Sequence, residues 1–111
     1  MVKSCSMLKR KPGLTPEEFQ QYWKEKHAPL VVKILPGLRK YVQNHPVKVA
    51  GYEFEIDGIA EIWWDDLEAF QNFLRWRQTE EGQVLIDDEN KFIDKGGIQR
   101  FLAVEYLVVE R

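Results

Sequence analysis

The 111-residue chain carries 16 Lys and Arg residues against 18 Asp and Glu residues, so its formal net charge is only -2. This near balance gives no support for a nucleic-acid partner or for binding to an anionic membrane. The length is that of one domain, residues 1–111. Because no run resembles a secretory signal or approaches transmembrane length, the sequence predicts a cytoplasmic protein that does not enter a membrane.

The first predicted elements are a strand and a helix with a well-marked start. The strand covers residues 2–10, and the Lys-Pro-Gly of residues 11–13 ends it. Thr15 suits an N-cap, Pro16 suits the first helical position, and Glu18 stands where a capping box requires it. Apolar residues at spacings of three and four then predict one buried helix face, formed by Phe19, Tyr22, Trp23, Leu30, Val31 and Ile34.

His27 lies on this apolar face, four residues after Trp23 and three before Leu30. Pro29 disfavours helical geometry at Ala28, so we expect the helix to bend at His27. Position alone leaves two interpretations of this side chain: a core histidine that is hydrogen-bonded within the fold, or a catalytic one.

The middle of the chain predicts two strands with a polar connection. The first covers 38–44 and ends at His45, and the second covers 56–64, where Ile and Trp are frequent. Residues 47–55 are polar, and Gly51 indicates a turn between the two strands.

The last third predicts two helices and a final strand. Asp65 or Asp66 caps a helix with an apolar face, Gly82 breaks the pattern, and a shorter helix runs from about 84 to 92. After a turn at 95–97, the strand 100–109 is apolar or aromatic on both faces, which predicts that it is covered on both sides.

The predicted order of elements is strand, helix, strand, strand, helix, strand. This βαββαβ order predicts an α+β, ferredoxin-like fold, in which a four-stranded antiparallel sheet carries both helices on one face. The other face would expose large apolar residues of the third and fourth strands. We therefore expect a homodimer in which two such sheets face each other.

Three familiar kinds of catalytic motif do not occur in the sequence. There is no glycine-rich phosphate loop, no HExxH and no GxSxG, and the single Cys5 has no CxxC partner. The motifs thus give no support to nucleotide-driven, zinc-dependent or serine-hydrolase chemistry.

Acidic side chains in the predicted strands are further candidates. Glu61 stands in the middle of the third strand, and a buried carboxylate is costly unless it is paired or functional. Burial would make Glu61 a proton donor, whereas pairing with Lys or Arg would make it structural. Glu105 has a similar place in the last strand, where an inward charge also protects an edge from wrong pairing.

Four segments together resemble a known family: FQQYWKEKHAPL, LPGLRKYVQNH, DGIAEIWW and DENKFID. Over essentially the whole chain they are similar to the EthD-like proteins of the dimeric α/β-barrel superfamily. The resemblance implies a subunit whose sheet meets a partner's sheet, with a small cavity between each sheet and its own helices. It also implies aromatic, polyketide or lactone-like ligands and chemistry without a metal or organic cofactor.

The resemblance also suggests site residues. His27 would match the family's histidine and would transfer a proton, with Glu61 as the second acid or base. Asp88 lies in the DENKFID segment, where it would orient a histidine, cap a helix or belong to a solvated helix face. The side chains expected to contact the substrate, for most of which core packing or a polar turn is the alternative, are Trp23, Tyr41, His45, Trp63, Asp88 and Phe92.

Three functional hypotheses follow for this chain. The first is a cofactor-free enzyme, an isomerase, lyase or oxidoreductase, because reported roles of the superfamily include isomerisation, cyclisation, decarboxylation and oxygenation. The second is a non-catalytic accessory protein that binds a metabolite for an oxidoreductase system of the ether-degradation type. The third is a structural dimer whose cavity is filled by side chains.

Overall fold

One antiparallel sheet forms the centre of the protein, and the computed structural model describes all of residues 1–111. Its strands are β1 (Val2–Leu8), β2 (Lys40–Asn44), β3 (Gly58–Trp64) and β4 (Gln99–Ala103). They lie in the order β2-β3-β1-β4, with every neighbouring pair antiparallel. The predicted α+β, ferredoxin-like fold is confirmed.

The helices are α1 (Pro16–Tyr22), α2 (Ala28–Ile34), α3 (Leu67–Trp76) and α4 (Glu80–Phe92). The predicted capping box starts α1: the Thr15 hydroxyl accepts from the Glu18 N–H at 3.1 Å, and the Glu18 carboxylate accepts from the Thr15 N–H at 2.9 Å. Asp66 caps α3 by accepting from the Ala69 N–H at 2.8 Å. A 3-10 turn, Lys95–Gly97, precedes β4.

A π-helical turn, Trp23–His27, joins α1 to α2. The Ala28 N–H donates to the Trp23 carbonyl, five residues back instead of four. Pro29 follows directly, and in a regular α-helix its ring would clash with the carbonyl of Glu25. The helix therefore deviates from α-helical geometry at His27, where the sequence predicts a bend.

Gly82 does not end a helix, so the predicted helix start near residue 84 is wrong. Helix α4 begins at Glu80, and the Thr79 hydroxyl caps it by accepting from the Gly82 N–H at 3.2 Å. A Cβ at Gly82 would overlap the Trp76 carbonyl oxygen and the Arg77 backbone. Glycine is required here by the close approach of two helices.

The last strand is shorter than the predicted 100–109. Its final pair joins Ala103 to Lys3, one residue from the first residue of β1, Val2, and the residues after Ala103 are not paired with β1. Residues 104–111 are outside the sheet and mostly exposed, with Tyr106 at 88% and Val108 at 83%. The expectation that this segment is covered on both sides is wrong within one chain.

Two clusters of buried side chains fill the space between the sheet and the helices. One contains Leu8, Phe19, Trp23, Phe92 and Ile93. The other contains Val31, Leu35, Trp64 and Leu85. Because strand residues alternate between faces, this helix-side face also carries Ser4, Ser6, Ala60 and Ile62, and the outer face carries Cys5, Glu61 and Trp63.

Candidate functional site

A cavity of about 320 Å³ lies on the helix-side face, lined by members of both core clusters. Three small side chains, Ser4, Ser6 and Ala60, lie on its floor, with Ser6 and Ala60 paired directly across β1 and β3. Larger residues at these positions would fill the space. The rest of the lining is mainly apolar or aromatic and includes Trp23, Val31, Leu35, Tyr41, Phe70, Phe73 and Leu85.

His27 is the ionisable ring on the cavity wall, and its side chain is held from behind. The residue is only 5% exposed, its Nδ1 lies 2.7 Å from the Asp88 Oδ2, and its ring packs at 4.8 Å from that of Phe92. Its Nε2 has no hydrogen-bond partner within the chain and is not among the fully buried polar atoms. This nitrogen is therefore accessible from the cavity.

The Asp88 carboxylate fixes the tautomer of the imidazole. Its Oδ1 accepts from the Tyr22 hydroxyl at 2.6 Å. Burial works to raise the pKa of Asp88, but the hydrogen bonds from Tyr22 and His27 outweigh it and hold that pKa below its ordinary value. Because an ionised carboxylate only accepts, His27 carries its proton on Nδ1 and a lone pair on Nε2.

The protonation state of His27 follows from two opposing effects. Burial lowers the pKa of His27 below its ordinary value of 6.5, and the Asp88 carboxylate opposes part of that shift. The imidazole is thus neutral at pH 7. The same carboxylate favours the cation once a proton arrives on Nε2, which is the arrangement of a general base.

Tyr41 offers a second polar group to the cavity. Its hydroxyl oxygen accepts from the Gln43 Nε2 at 2.9 Å, which leaves the hydroxyl hydrogen available to a ligand. Gln43 Nε2 also donates to the carbonyl of Trp23 at 3.0 Å. Burial raises the pKa of Tyr41, so this side chain is a neutral donor at physiological pH.

A buried ion cluster forms another part of the cavity wall. Arg77 donates to both carboxylate oxygens of Glu89, at 2.9 and 3.0 Å, and Lys95 also donates to Glu89. Burial alone would raise the pKa of Glu89, but Arg77 and Lys95 lower it to about 2. Arg100 of β4 lies on the same wall.

The structure brings only part of the predicted site together. Trp23, His27 and Tyr41 line the cavity, whereas Asp88 and the fully buried Phe92 lie behind His27. Asp88 therefore contacts the histidine and not the cavity, so its expected role as a substrate contact is corrected to a positioning role.

His45 lies outside the cavity lining, against the edge of the core. Its ring packs at 4.6 Å from that of Trp23, and its Nε2 is 2.9 Å from the Gln43 Oε1. It lines a smaller, separate depression beside Phe54 and Gly58. The expectation that His45 contacts a substrate beside His27 is corrected accordingly.

Glu61 and Trp63 lie on the outer face of the sheet, so they do not share the cavity with His27. Glu61 accepts from Lys3 Nζ at 2.6 Å and from Asn44 Nδ2 at 2.9 Å, and these bonds lower its pKa. The ring of Trp63 lies under the ammonium group of Lys40 at 4.5 Å. The expectation that Glu61 acts beside His27 is corrected: it is an ion-pair partner.

Sequence reasoning missed several polar residues of the cavity region: Ser4, Ser6, Tyr22, Gln43, Arg77, Glu89 and Arg100. The sequence does contain a pattern that indicates the cavity floor, because Ser4 and Ser6 are two small side chains on one face of a strand. The ion pair of Arg77 with Glu89 spans two helices and has no signal of its own in the sequence.

Two absences complete the description of the chain. No group of three or more His, Cys, Asp or Glu side chains is placed to hold a metal ion. None of the helices has the length and apolar character needed to span a membrane.

The fold and site define a ferredoxin-like α+β protein with a cavity of about 320 Å³ beside a buried histidine. Residues 11–96 match the EthD domain, and the chain therefore belongs to the EthD family. A search of curated proteins found no match.

Solved structures with the same fold include members of this family. An ethyl tert-butyl ether D (EthD) family protein from Bacillus halodurans is 27% identical, with a TM-score of 0.72 over 96% of this chain and 99% of that one. A protein from Arabidopsis thaliana is 18% identical, with a TM-score of 0.69 over 99% and 100% of the two chains. A Bacteroides fragilis protein, described as dimeric and ferredoxin-like, is 13% identical, with a TM-score of 0.62 over 92% and 93%.

Proposed function

We propose that this EthD-family protein is an enzyme that needs no cofactor and moves a proton on a small aromatic, polyketide or lactone-like carbonyl compound. The observation that supports this best is the geometry of His27: Nδ1 bonds to Asp88 at 2.7 Å, and Nε2 is left accessible from the cavity. A neutral imidazole held in this way has a lone pair on Nε2 with which it can accept a proton from a bound substrate.

The proposed step is abstraction of a proton from a carbon next to the substrate carbonyl. The C–H bond breaks, the proton forms an N–H bond at His27 Nε2, and the electron pair moves to the carbonyl oxygen as an enolate. Asp88 stabilises the resulting imidazolium, and the Tyr41 hydroxyl donates to a substrate oxygen. Return of the proton to another carbon of the enolate would give isomerisation. Attack by the enolate carbon on a second carbonyl carbon of the same molecule would give cyclisation, because that C=O π bond breaks and its oxygen takes the proton from His27.

The size and lining of the cavity support an apolar substrate. Its volume of about 320 Å³ is near the lower end of the range of about 300 to 1,000 Å³ for small-molecule sites. Fourteen of its twenty lining residues are hydrophobic. A single aromatic or fused-ring compound suits such a space better than a large cofactor does.

We further propose that the protein works as a homodimer. Val104, Tyr106, Leu107, Val108 and Val109 are all at least 60% exposed in the single chain, and a second copy would cover this apolar segment. The description of the Bacteroides fragilis protein as dimeric supports a homodimer.

Deuterium exchange tests the proposed chemistry without knowledge of the product. The protein is incubated in D₂O with a panel of aromatic ketones, lactones and β-keto acids, and deuterium at the carbon next to the carbonyl is followed by proton NMR. We expect at least one compound to exchange faster with the protein than without it, and His27→Ala to abolish the increase. His45→Ala is the matched control, since it removes the other histidine of the chain, which lies outside the cavity.

The competing function is a carrier that binds a metabolite for an oxidoreductase, and the mainly hydrophobic lining favours it as a second candidate. A carrier would bind one of the compounds without promoting exchange, and His27→Ala would bind it as tightly as the wild type. That result would contradict catalysis by His27 and leave the cavity as a binding site.

A further inference from the structure

Arg100 is a charged residue of the cavity wall that has no partner within the chain. Its place in β4, opposite Ser6 of β1, puts it on the helix-side face of the sheet. No hydrogen bond or salt bridge within the chain involves its guanidinium group, although Arg10, Arg39 and Arg77 all have carboxylate partners. Five N–H donors are thus available at the edge strand, where the cavity meets solvent.

The charges around Arg100 do not balance. Glu89 is the nearby carboxylate, but it already accepts from both Arg77 and Lys95. Together, Arg77, Lys95, Arg100 and Glu89 leave an excess of positive charge beside an otherwise apolar space. Desolvation lowers the pKa of Arg100, the Glu89 carboxylate opposes that shift, and the neighbouring Arg77 adds to it. The Arg100 side chain is exposed in β4, so its charge can be reached by a ligand at the edge of the cavity.

Arg77 is not free to bind an anion in place of Arg100. Both Glu89 oxygens engage Arg77, and its side chain is only 17% exposed, so that guanidinium group is fixed. Arg100 is therefore the side chain whose planar donors are free to meet an incoming group. Carboxylate and phosphate groups both match a guanidinium with two parallel hydrogen bonds, and a carboxylate is the smaller of the two for a cavity of about 320 Å³.

We propose that the ligand of this cavity is an acid, whose carboxylate is bound by Arg100 while its apolar body contacts the side chains around Trp23. This inference rests on the proposed function for the use of the cavity and adds the charge class of the substrate. The Arg100 guanidinium group holds the acid end of the molecule, and His27 acts on a carbon elsewhere in it.

A matched pair of probes tests the charge preference directly. Binding of 2-naphthoate and of its neutral isostere 2-naphthamide is measured by calorimetry on the intact protein, with wild type and Arg100→Gln. We expect the wild type to bind the acid at least about tenfold more tightly than the amide, because charge-assisted hydrogen bonds exceed neutral ones by roughly this factor. Arg100→Gln should lose that preference and keep its affinity for the amide.

Two further variants distinguish carboxylate binding by Arg100 from general effects of charge and folding. Arg75→Gln removes the same charge from an exposed position on α3 and should leave the preference unchanged. Arg100→Lys keeps the charge but loses the planar donors, so it should retain only part of the preference. Size-exclusion chromatography of each variant follows its assembly state.

Three other outcomes would contradict the inference about Arg100, and one of them would also contradict the proposed use of the cavity. If the wild type binds the acid and the amide equally, the proposal that Arg100 binds a carboxylate is wrong, while the cavity remains a small-molecule site. If Arg100→Gln keeps the preference, or only weakens assembly, the guanidinium group belongs to a subunit contact and the inference is overturned. If neither probe binds, both the inference and the proposed use of the cavity for aromatic ligands fail.

Discussion

Glu89→Gln is the substitution whose effect on stability follows most directly from the structure. The change keeps the shape of the side chain and removes the charge that Arg77 and Lys95 share. Glu89 is 8% exposed, so the two cations would be left near an apolar cavity with a neutral amide. We expect a large loss of stability at pH 7.

The size of this loss can be obtained in two ways. The pKa of Glu89 falls from 4.5 to about 2 on folding, and at about 1.4 kcal/mol for each pKa unit this is worth about 3 kcal/mol. Removing one partner of a buried ion pair commonly costs about 3 to 5 kcal/mol. Lys95 is 34% exposed and regains some hydration, which favours the lower figure.

The pH dependence gives the sharper test. Because the folded pKa is depressed, the contribution of Glu89 is fully present above pH 4.5 and is lost as the pH falls towards 2. Urea unfolding at fixed protein concentration, from pH 7 down to pH 3, should show a gap between wild type and Glu89→Gln that narrows below pH 4.5. The control Glu53→Gln, at an exposed loop position, should show no such gap. A gap below about 1 kcal/mol at pH 7, or one that does not change with pH, would refute the reasoning.

Two other predictions concern residues that surround the His27 region. Gly58→Ala should lower the free energy of unfolding by about 1 to 3 kcal/mol, because a Cβ there would overlap the fully packed Trp23 ring; an unchanged melting temperature would contradict that packing. Burial and the Asp88 carboxylate raise the pKa of Tyr22 to about 12, so unfolding should become easier as the pH rises from about 10, where unfolded tyrosine ionises. Tyr22→Phe should reduce this alkaline loss in urea titrations, and an identical slope in both proteins would disprove the role of Tyr22.

The start and the bend of the first helix could be predicted from local sequence. Thr15 and Glu18 form the capping box that their spacing indicates, and Pro29 places the irregular turn at His27. These features depend on residues within a few positions of each other. The order of strands and helices, which fixes the fold, is likewise visible in alternating patterns.

The partners of His27 could not be predicted in the same way. Asp88 lies 61 residues away along the chain, and its contact exists only because α4 packs against the π-turn. The error with Glu61 has a similar origin. The adjacent Trp63 and Trp64 give both faces of β3 a large apolar residue, so the sequence does not tell which face meets the helices. Trp64 is fully buried, so its face of β3 meets the helices, and Glu61 lies on the opposite, outer face.

The length of the last strand also depends on distant residues. Its apolar run continues to Val109, but pairing ends at Ala103, which lies opposite Lys3 of β1. In the proposed homodimer, a second chain would cover the same run. Gly82 was similarly ambiguous, since a glycine that ends a helix and one that allows two helices to touch look alike in sequence.

The tautomer and accessibility of His27 are the central claim, and nitrogen-15 NMR of the imidazole measures both. The chain has only two histidines, so His45→Ala assigns the signals without ambiguity. We predict that at pH 7 His27 is neutral, with its proton on Nδ1, and that the Nε2 signal shifts when a cavity ligand such as 2-naphthoate is added. A proton on Nε2, or an Nε2 signal unaffected by a bound ligand, would contradict the role of His27 as the base of this site.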